Sequence, residues 1–295
     1  MSTFITILID KKNADLITDG FAIMKDVEMS LSSYDPKATI YLLNENLHVK
    51  LDDYSYEALD FSKKYYVKTD GYFDITIGSI TKDAFRFGLD ERVATQKELK
   101  DAQVDIKGLR FDKKEAFVDK GIKIDLGGMG KGFGVDKVAQ YFRSKDVKNA
   151  TISASGDIRC LSSCKIDVQD PYVEDGSLLS FETTKDDLGI TTSGNYNRYV
   201  ISTKNNHLID PKTKKPQTKF ISITLVGEMS SSDLDAYATA ASVMPIKKAY
   251  KFLKTLGVGY IVLQSDKKLV ISKNISKYTK KLLVSDTMKK QPREI

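Results

Sequence analysis

The chain has 295 residues, 41% hydrophobic and 29% charged, a balance that excludes a disordered polymer and supplies side chains for a sizeable core. Lysine and arginine number 46 against 40 acids, a net charge of +6, but the basic residues are scattered among acidic neighbours. That pattern favours small anions over a nucleic-acid track.

No apolar run reaches the length of a membrane span, and "MSTFITILID" lacks the basic start and cleavage site of a signal peptide. Its "TFITILI" instead predicts a strand. From Ala14 onward, Ile17, Phe21, Met24, Val27 and Leu31 fall at helical spacing, and "SSYDPK" ends that helix. A second helix is predicted over residues 57–67. "KTDGYFDITIGSI" turns at Asp70-Gly71 into a short apolar segment. "LRFDKKEAFVDKGIKIDLGG" reads as a strand, a turn and further strands, and Val135, Val138, Ala139 and Phe142 mark one face of a helix after it. Strands are predicted in "NATISASGDIRCL", "CKIDVQD", "LGITTSGNYNRYVIS" and "FISITLVGE". "SSDLDAYATAASVMP" is a helix with Ser231 or Ser232 near its cap. "IKKAYKFLKTLG" is a helix stopped by Gly257, and "GYIVLQSDKKLVIS" is a hairpin. The Lys-rich stretch from Lys273 onward reads as a solvated face. With no repeat, linker or clean boundary, the expected fold class is α+β: one integrated body of mixed sheets and helices over residues 1–295, or two lobes.

Five glycines fall between Gly127 and Gly134 in "IDLGGMGKGFGVDKV". Glycine beside Lys131 suits close approach of a phosphate to the main chain. Neither standard phosphate grammar fits: Gly132 follows Gly130-Lys131 where a Ser or Thr is required, and no glycine triple has the dinucleotide spacing. A phosphate loop and a tight strand-to-helix turn both remain open. Asp235 and Thr239 in "DLDAYAT" are four apart, so both oxygens share a helix face; they suit Mg²⁺ rather than zinc, or else cap and solvate. His207 in "HLIDPKT" is a general base or a structural histidine, while His48 in "NENLHVK" reads as a surface residue. Tyr72, Phe73 and Asp74 in "TDGYFDIT" could hold a flat heterocycle or pack a core. Cys160 and Cys164 face each other across a short turn, as a disulfide or as free thiols; two thiols cannot complete a structural zinc site.

Taken in order and spacing, "MSTFITI", "LSSYDPKATIYLLNEN", "TDGYFDITIG", "IDLGGMGKGFGVDKV", "SASGDIR", "TTSGNYNRY", "HLIDPKT" and "DAYAT" resemble the ApbE family, the FAD:protein FMN transferases. The resemblance runs from Met1 through the Asp235 helix. It implies an enzyme that cleaves the pyrophosphate of its substrate FAD and joins FMN to a Thr or Ser hydroxyl of an acceptor flavoprotein, releasing AMP. Implied FAD contacts are Met1, Tyr34, Tyr72, Phe73 and Asp74, with Asp125, Lys131, His207 and Leu208 further along; in a two-lobed body the FAD would lie between the lobes. Mg²⁺ would be held by the Gly128 carbonyl, Asp235 and Thr239. Lys131 would neutralise phosphate charge and His207 would activate the acceptor hydroxyl. The chain departs from the family pattern at Lys214, usually glycine, at Leu234, usually alanine, at Asn195, usually aspartate, and in its cysteine pair. The resemblance further implies an acceptor in a membrane redox complex or extracytoplasmic reductase, no nucleic acid, and a periplasmic or extracytoplasmic location with any lipid anchor outside this chain; a cytoplasmic form also fits. An FAD pyrophosphatase and a non-catalytic FAD carrier are the alternative activities.

Overall fold

A computed structural model describes residues 3–286 and the backbone of residues 293–294. Strand β1 (Ile5–Ile9) leads through a 3₁₀ turn into α1 (Ile17–Leu31), then α2 (Thr39–Asn46), β2 (His48–Lys50) and α3 (Asp53–Lys68). A π-helical turn at Ser79–Ala84 and the short α4 (Gln96–Asp101) precede β3 (Leu109–Phe111), β4 (Glu115–Val118) and α5 (Gly130–Ser144). Five strands follow: β5 (Ala150–Ala154), β6 (Asp157–Cys160), β7 (Lys165–Gln169), β8 (Ser177–Thr183) and β9 (Leu188–Gly194). The chain continues with β10 (Ile209–Asp210), β11 (Lys215–Pro216), β12 (Phe220–Gly227), α6 (Ser231–Val243) and α7 (Ile246–Thr255). It closes with β13 (Gly259–Gln264), β14 (Leu269–Ile271), β15 (Thr279–Val284) and β16 (Arg293–Glu294).

Eight strands form one sheet in the order β1-β5-β6-β9-β12-β13-β14-β16, antiparallel except for the β14–β16 pair. Mid-sheet β12 is buried on both faces, which is why "FISITLVG" is a nearly unbroken apolar run. Ile223 and Leu225 join the helical core made with α1, α3 and α6. Val226 points the other way, into a second core closed by Ile166, Val168 and Phe181 of the three-stranded sheet β15-β8-β7. The molecule is therefore α+β in one body, as the sequence pattern implied.

Helix α6 is buried almost all round, and its alanines Ala236, Ala238, Ala240 and Ala241 let it lie within the layers. Its contact with α5 is close because residue 132 is glycine: a Cβ there would stand 2.3 Å from the Ser231 carbonyl oxygen. The cap of α6 is Ser230, one residue before the predicted position, and its hydroxyl accepts from the Asp233 N–H at 3.1 Å. The N–H groups of Ser231 and Ser232 instead donate to Asp136 of α5, each at 2.8 Å, which ties the two helix starts together.

Several elements differ from expectation. α2 was not anticipated, since its 8 residues are too few to show a helical repeat; it ends at Leu47 with a left-handed φ of 61°. α3 starts earlier than predicted because Asp52 and Ser55 form a reciprocal capping box. The "GIKID" stretch is irregular, joined to its neighbours by an Ile77–Lys123 bridge. The strand in "LGITTSGNYNRYVIS" stops at Gly194, and β8 and β15 lie in segments where no strand was predicted. Lys214 has φ 58°, the conformation a glycine would take without strain. Its ammonium donates to the carbonyls of Lys100 and Ala102 at 3.0 and 2.7 Å, which closes the C-terminal end of α4.

Candidate active site

The α5–α6 contact brings two helix N-termini together, and the charged side chains beside them form a buried cluster. Asp235, one turn into α6, accepts from the Gly132 N–H at 3.3 Å and from Lys131 Nζ at 3.3 Å. Lys131 Nζ also lies 3.0 Å from Asp157 Oδ2 on β6. That oxygen is buried, and no aligned hydrogen bond reaches it, so its tie to the lysine is Coulombic. The other oxygen of Asp157 accepts from the Thr191 hydroxyl on β9. Burial, and then Asp157, push the Asp235 carboxyl up, against the pull of Lys131. Burial opposes charge on Lys131, but Asp157 and Asp235 hold its proton more tightly than usual.

Thr239 lies one turn beyond Asp235 and meets the glycine loop. A Cβ on Gly128 would stand 3.0 Å from Thr239 Cγ2 and 3.1 Å from the Phe73 ring. Ser193 Oγ lies 3.3 Å from Thr239 Oγ1. Gly128, Asp235 and Thr239 are thus gathered in one place. Among the described residues no group of three or more His, Cys, Asp or Glu forms a metal centre. A carboxylate, a hydroxyl and a backbone carbonyl are nonetheless the hard oxygen donors that suit Mg²⁺, which keeps several of its waters. With two buried carboxylates sharing one ammonium, the cluster also lacks a positive charge, so the residues fit such a cation.

A second carboxylate stands just before the loop. Asp125 accepts from the Gly127 N–H at 2.9 Å and the Thr81 hydroxyl at 2.6 Å, with Lys82 Nζ 3.4 Å away. Burial alone would raise it, but Lys82, Thr81, Gly127 and Arg198 outweigh that and hold it at about 2. Lys82 is buried on the π-helical turn, with Nζ 3.4 Å from the centre of the Tyr34 ring. The Tyr34 hydroxyl donates to the Phe87 carbonyl at 2.9 Å and accepts from Arg198. One face of Tyr34 therefore already carries a cation.

His207 is partly open to solvent, and its Nδ1 lies 3.1 Å from the Arg198 carbonyl oxygen. A carbonyl only accepts, so Nδ1 carries the hydrogen and Nε2 keeps its lone pair. Burial and the positive charges of Arg198 and Lys131 lower the imidazole to about 4, against the Arg198 carbonyl hydrogen bond and Asp125. His207 is thus neutral near pH 7 and within electrostatic reach of both the Lys131 and the Asp125 clusters.

The other predicted residues are more dispersed. The Tyr72 ring lies beneath the ammonium groups of Lys212 and Lys248, at 4.3 and 4.7 Å, and both lysines pair with Asp70. Phe73 packs edge-on against Tyr65. Asp74 accepts from the Thr76 N–H and hydroxyl at 2.9 and 2.6 Å, and burial pushes it up. It lines a cavity of about 360 Å³ with Tyr66, Asp70, Val104 and Lys212, which Lys131 does not border. Leu208 is buried in the helical core. Met1 lies outside the described residues. Cys160 and Cys164 form a disulfide, and His48 is a surface residue paired with Glu115 and stacked on Phe117.

Sequence reasoning missed Asp157, Thr191, Ser193, Thr81, Lys82 and Arg198. Asp157 stands inside "SASGDIR", and Thr191, Ser193 and Arg198 inside "TTSGNYNRY", so those Ser-Gly turns carried the signal. Nothing local marks Lys82.

The model of the ApbE family matches residues 1–262. The chain belongs to the ApbE family. It is 26% identical over 273 residues to a protein of Haemophilus influenzae named FAD:protein FMN transferase, covering 83% of this chain and 77% of that protein. A Treponema pallidum protein of the same name is 24% identical over 290 residues, covering 88% and 80%. The fold superposes on the crystal structure of the ApbE protein of Thermotoga maritima with a TM-score of 0.84, 25% identity and coverage of 95% and 96%. It is also similar in fold to the flavin transferase ApbE from Vibrio cholerae, with a TM-score of 0.80, 23% identity and coverage of 94% and 96%.

Proposed function

We infer that this ApbE-family chain is an FAD:protein FMN transferase. The observation that carries the reading is the cluster of Lys131, Asp157 and Asp235 at two paired helix N-termini, beside a neutral histidine. Helix N-termini and a lysine favour a pyrophosphate. A histidine with a free Nε2 favours deprotonation of an attacking hydroxyl.

In the reaction, a Thr or Ser hydroxyl of the acceptor attacks the FMN-side phosphorus of FAD. The new P–O bond forms as the bond to the AMP oxygen breaks, AMP departs, and the hydroxyl proton passes to His207 Nε2. Lys131 balances charge on the phosphate oxygens. Mg²⁺, held by Asp235, Thr239 and the Gly128 carbonyl, would supply further charge neutralisation and orientation of the pyrophosphate. Asp125, Tyr34 and the Tyr72–Asp74 turn are the residues we assign to the remainder of the FAD. The acceptor we assign is a flavoprotein outside the cytoplasm, a reading supported by the Cys160–Cys164 disulfide, since such bonds persist in oxidising compartments.

The test is to incubate the protein with FAD, Mg²⁺ and a Thr-containing acceptor flavoprotein, then measure the intact mass of the acceptor and the released nucleotides. The expected result is one added FMN per acceptor with matching AMP. Free FMN and AMP with an unmodified acceptor would make the protein a pyrophosphatase, and FAD left intact would make it a carrier.

A further inference from the structure

The Lys131 cluster is out of balance. Asp157 and Asp235 each have at most 3% of their side chains exposed, and Lys131 is the cation between them, at 3.0 and 3.3 Å. Each carboxylate has one further anchor, the Thr191 hydroxyl for Asp157 and the Gly132 N–H for Asp235. Neighbouring charges are engaged elsewhere: Asp136 accepts from the Ser231 and Ser232 N–H groups, and Arg159 pairs with Asp187. Buried charges persist when paired, and here one of the two carboxylates is short of a partner.

We propose that Lys131 is a resident counter-ion for Asp235 that a divalent cation displaces, and that Asp157 is the positioning residue that retains the displaced ammonium beside the substrate phosphate. The inference rests on the assignment of a metal to Asp235 and Thr239. Asp235 belongs to a helix face that also carries Thr239 and meets the Gly128 loop, so it has a further set of oxygen donors. Asp157 is not on that face; it is held by a strand and has an oxygen with no aligned donor. A lysine shared between them has a second carboxylate to rest on when the first is taken. Without Asp157 the ammonium would have Asp235 as its sole partner, and lysine and metal would compete for the same oxygens.

The experiment is a double-mutant cycle read by Mn²⁺ binding, using calorimetry without FAD on the wild type, Lys131→Met, Asp157→Asn and the double variant. Lys131→Met tightens Mn²⁺ binding, and Asp157→Asn weakens it. Simple charge removal predicts those two signs as well, so the decision lies in their coupling. In the Asp157→Asn background the lysine competes undivided, so removing it produces a gain roughly tenfold larger than in the wild type, within the range of contacting residues. Equal gains in both backgrounds overturn the proposal. Absence of Mn²⁺ binding to the wild type overturns the metal assignment instead, which separates the two failures. Asp157→Asn is isosteric; should it unfold, Asp157→Ser, which likewise removes the carboxylate that shares the ammonium, replaces it in the cycle with the same expected sign.

Discussion

Two carboxylates flank the glycine loop, Asp235 buried and Asp125 partly so, and the partners around them differ. Asp125 has Lys82, the Thr81 hydroxyl and the Gly127 N–H beside it and the charge of Arg198 within reach, and it is held at about 2. Asp235 shares Lys131 with Asp157, and burial beside that second acid pushes it up. Both sites contain an aspartate and a lysine, so residue types alone do not distinguish them. The count of partners does: the Asp125 side is satisfied within the protein, while the Asp235 side is left receptive to an added cation. We assign the first to holding the loop and the FAD, and the second to the metal and the reaction.

The largest effect that could break this comparison is at Asp235. Asp235→Asn should lower FMN transfer about 10⁴-fold, because a metal contributes several kcal/mol of transition-state charge stabilisation. FAD binding, followed by flavin fluorescence, should survive. Full transfer by this variant at ordinary Mg²⁺ would remove the distinction between the two carboxylates.

His207 feels the charges of both clusters and tests both. His207→Ala should reduce turnover at saturating FAD by about 10³-fold if Nε2 takes the acceptor proton. The imidazole is lowered from its ordinary 6.5 to about 4, so at saturating Mg²⁺, which keeps Asp235 ionised, kcat/KM should stay level through neutral pH and fall as pH drops through about 4. The same shift makes folding more favourable above 6.5, a contribution lost as pH falls toward 4. An acid limb at 6.5 would mean that burial and the charges of Arg198 and Lys131 do not act on it.

Lys82 sharpens the comparison from the closed side. Lys82→Met should destabilise the fold by about 2–3 kcal/mol, below the cost of stripping an isolated buried pair, since Thr81, Gly127 and Arg198 still hold Asp125. Thermal unfolding measures it, and a variant as stable as wild type would show that the ion pair is dispensable. A smaller effect is expected at the disulfide, which closes a short loop. Replacing Cys160 and Cys164 by alanine should lower stability by about 2 kcal/mol. Transfer should be unaffected, because Asp157 sits at the opposite end of β6. Loss of transfer with the fold intact would tie the bridge to the site.

The sequence made one half of this comparison legible and hid the other. Asp235 and Thr239 were readable because helical periodicity places positions four apart on one face. The glycine loop announced itself by composition, although Gly132 is explained by the α5–α6 approach rather than by a ligand. Asp157 is a strand residue whose partner lies on a helix that arrives by packing, a relation no local spacing encodes. Lys82 lies on a π-helical turn, and its reach to Asp125 depends on that irregular backbone. In the fold, long apolar stretches such as β12 and α1 were clear. β8 and β15 were not, because their alternating residues cover one face of another sheet and their charged lysines and glutamate face solvent.

The most direct test of the account is where a divalent cation binds. Crystals grown with FAD and Mn²⁺ should show an anomalous peak within coordination distance of an Asp235 carboxylate oxygen and Thr239 Oγ1, with none at Asp125. A peak at Asp125, or at Asp74 beside the cavity, would contradict the assignment of chemistry to the Asp235 side.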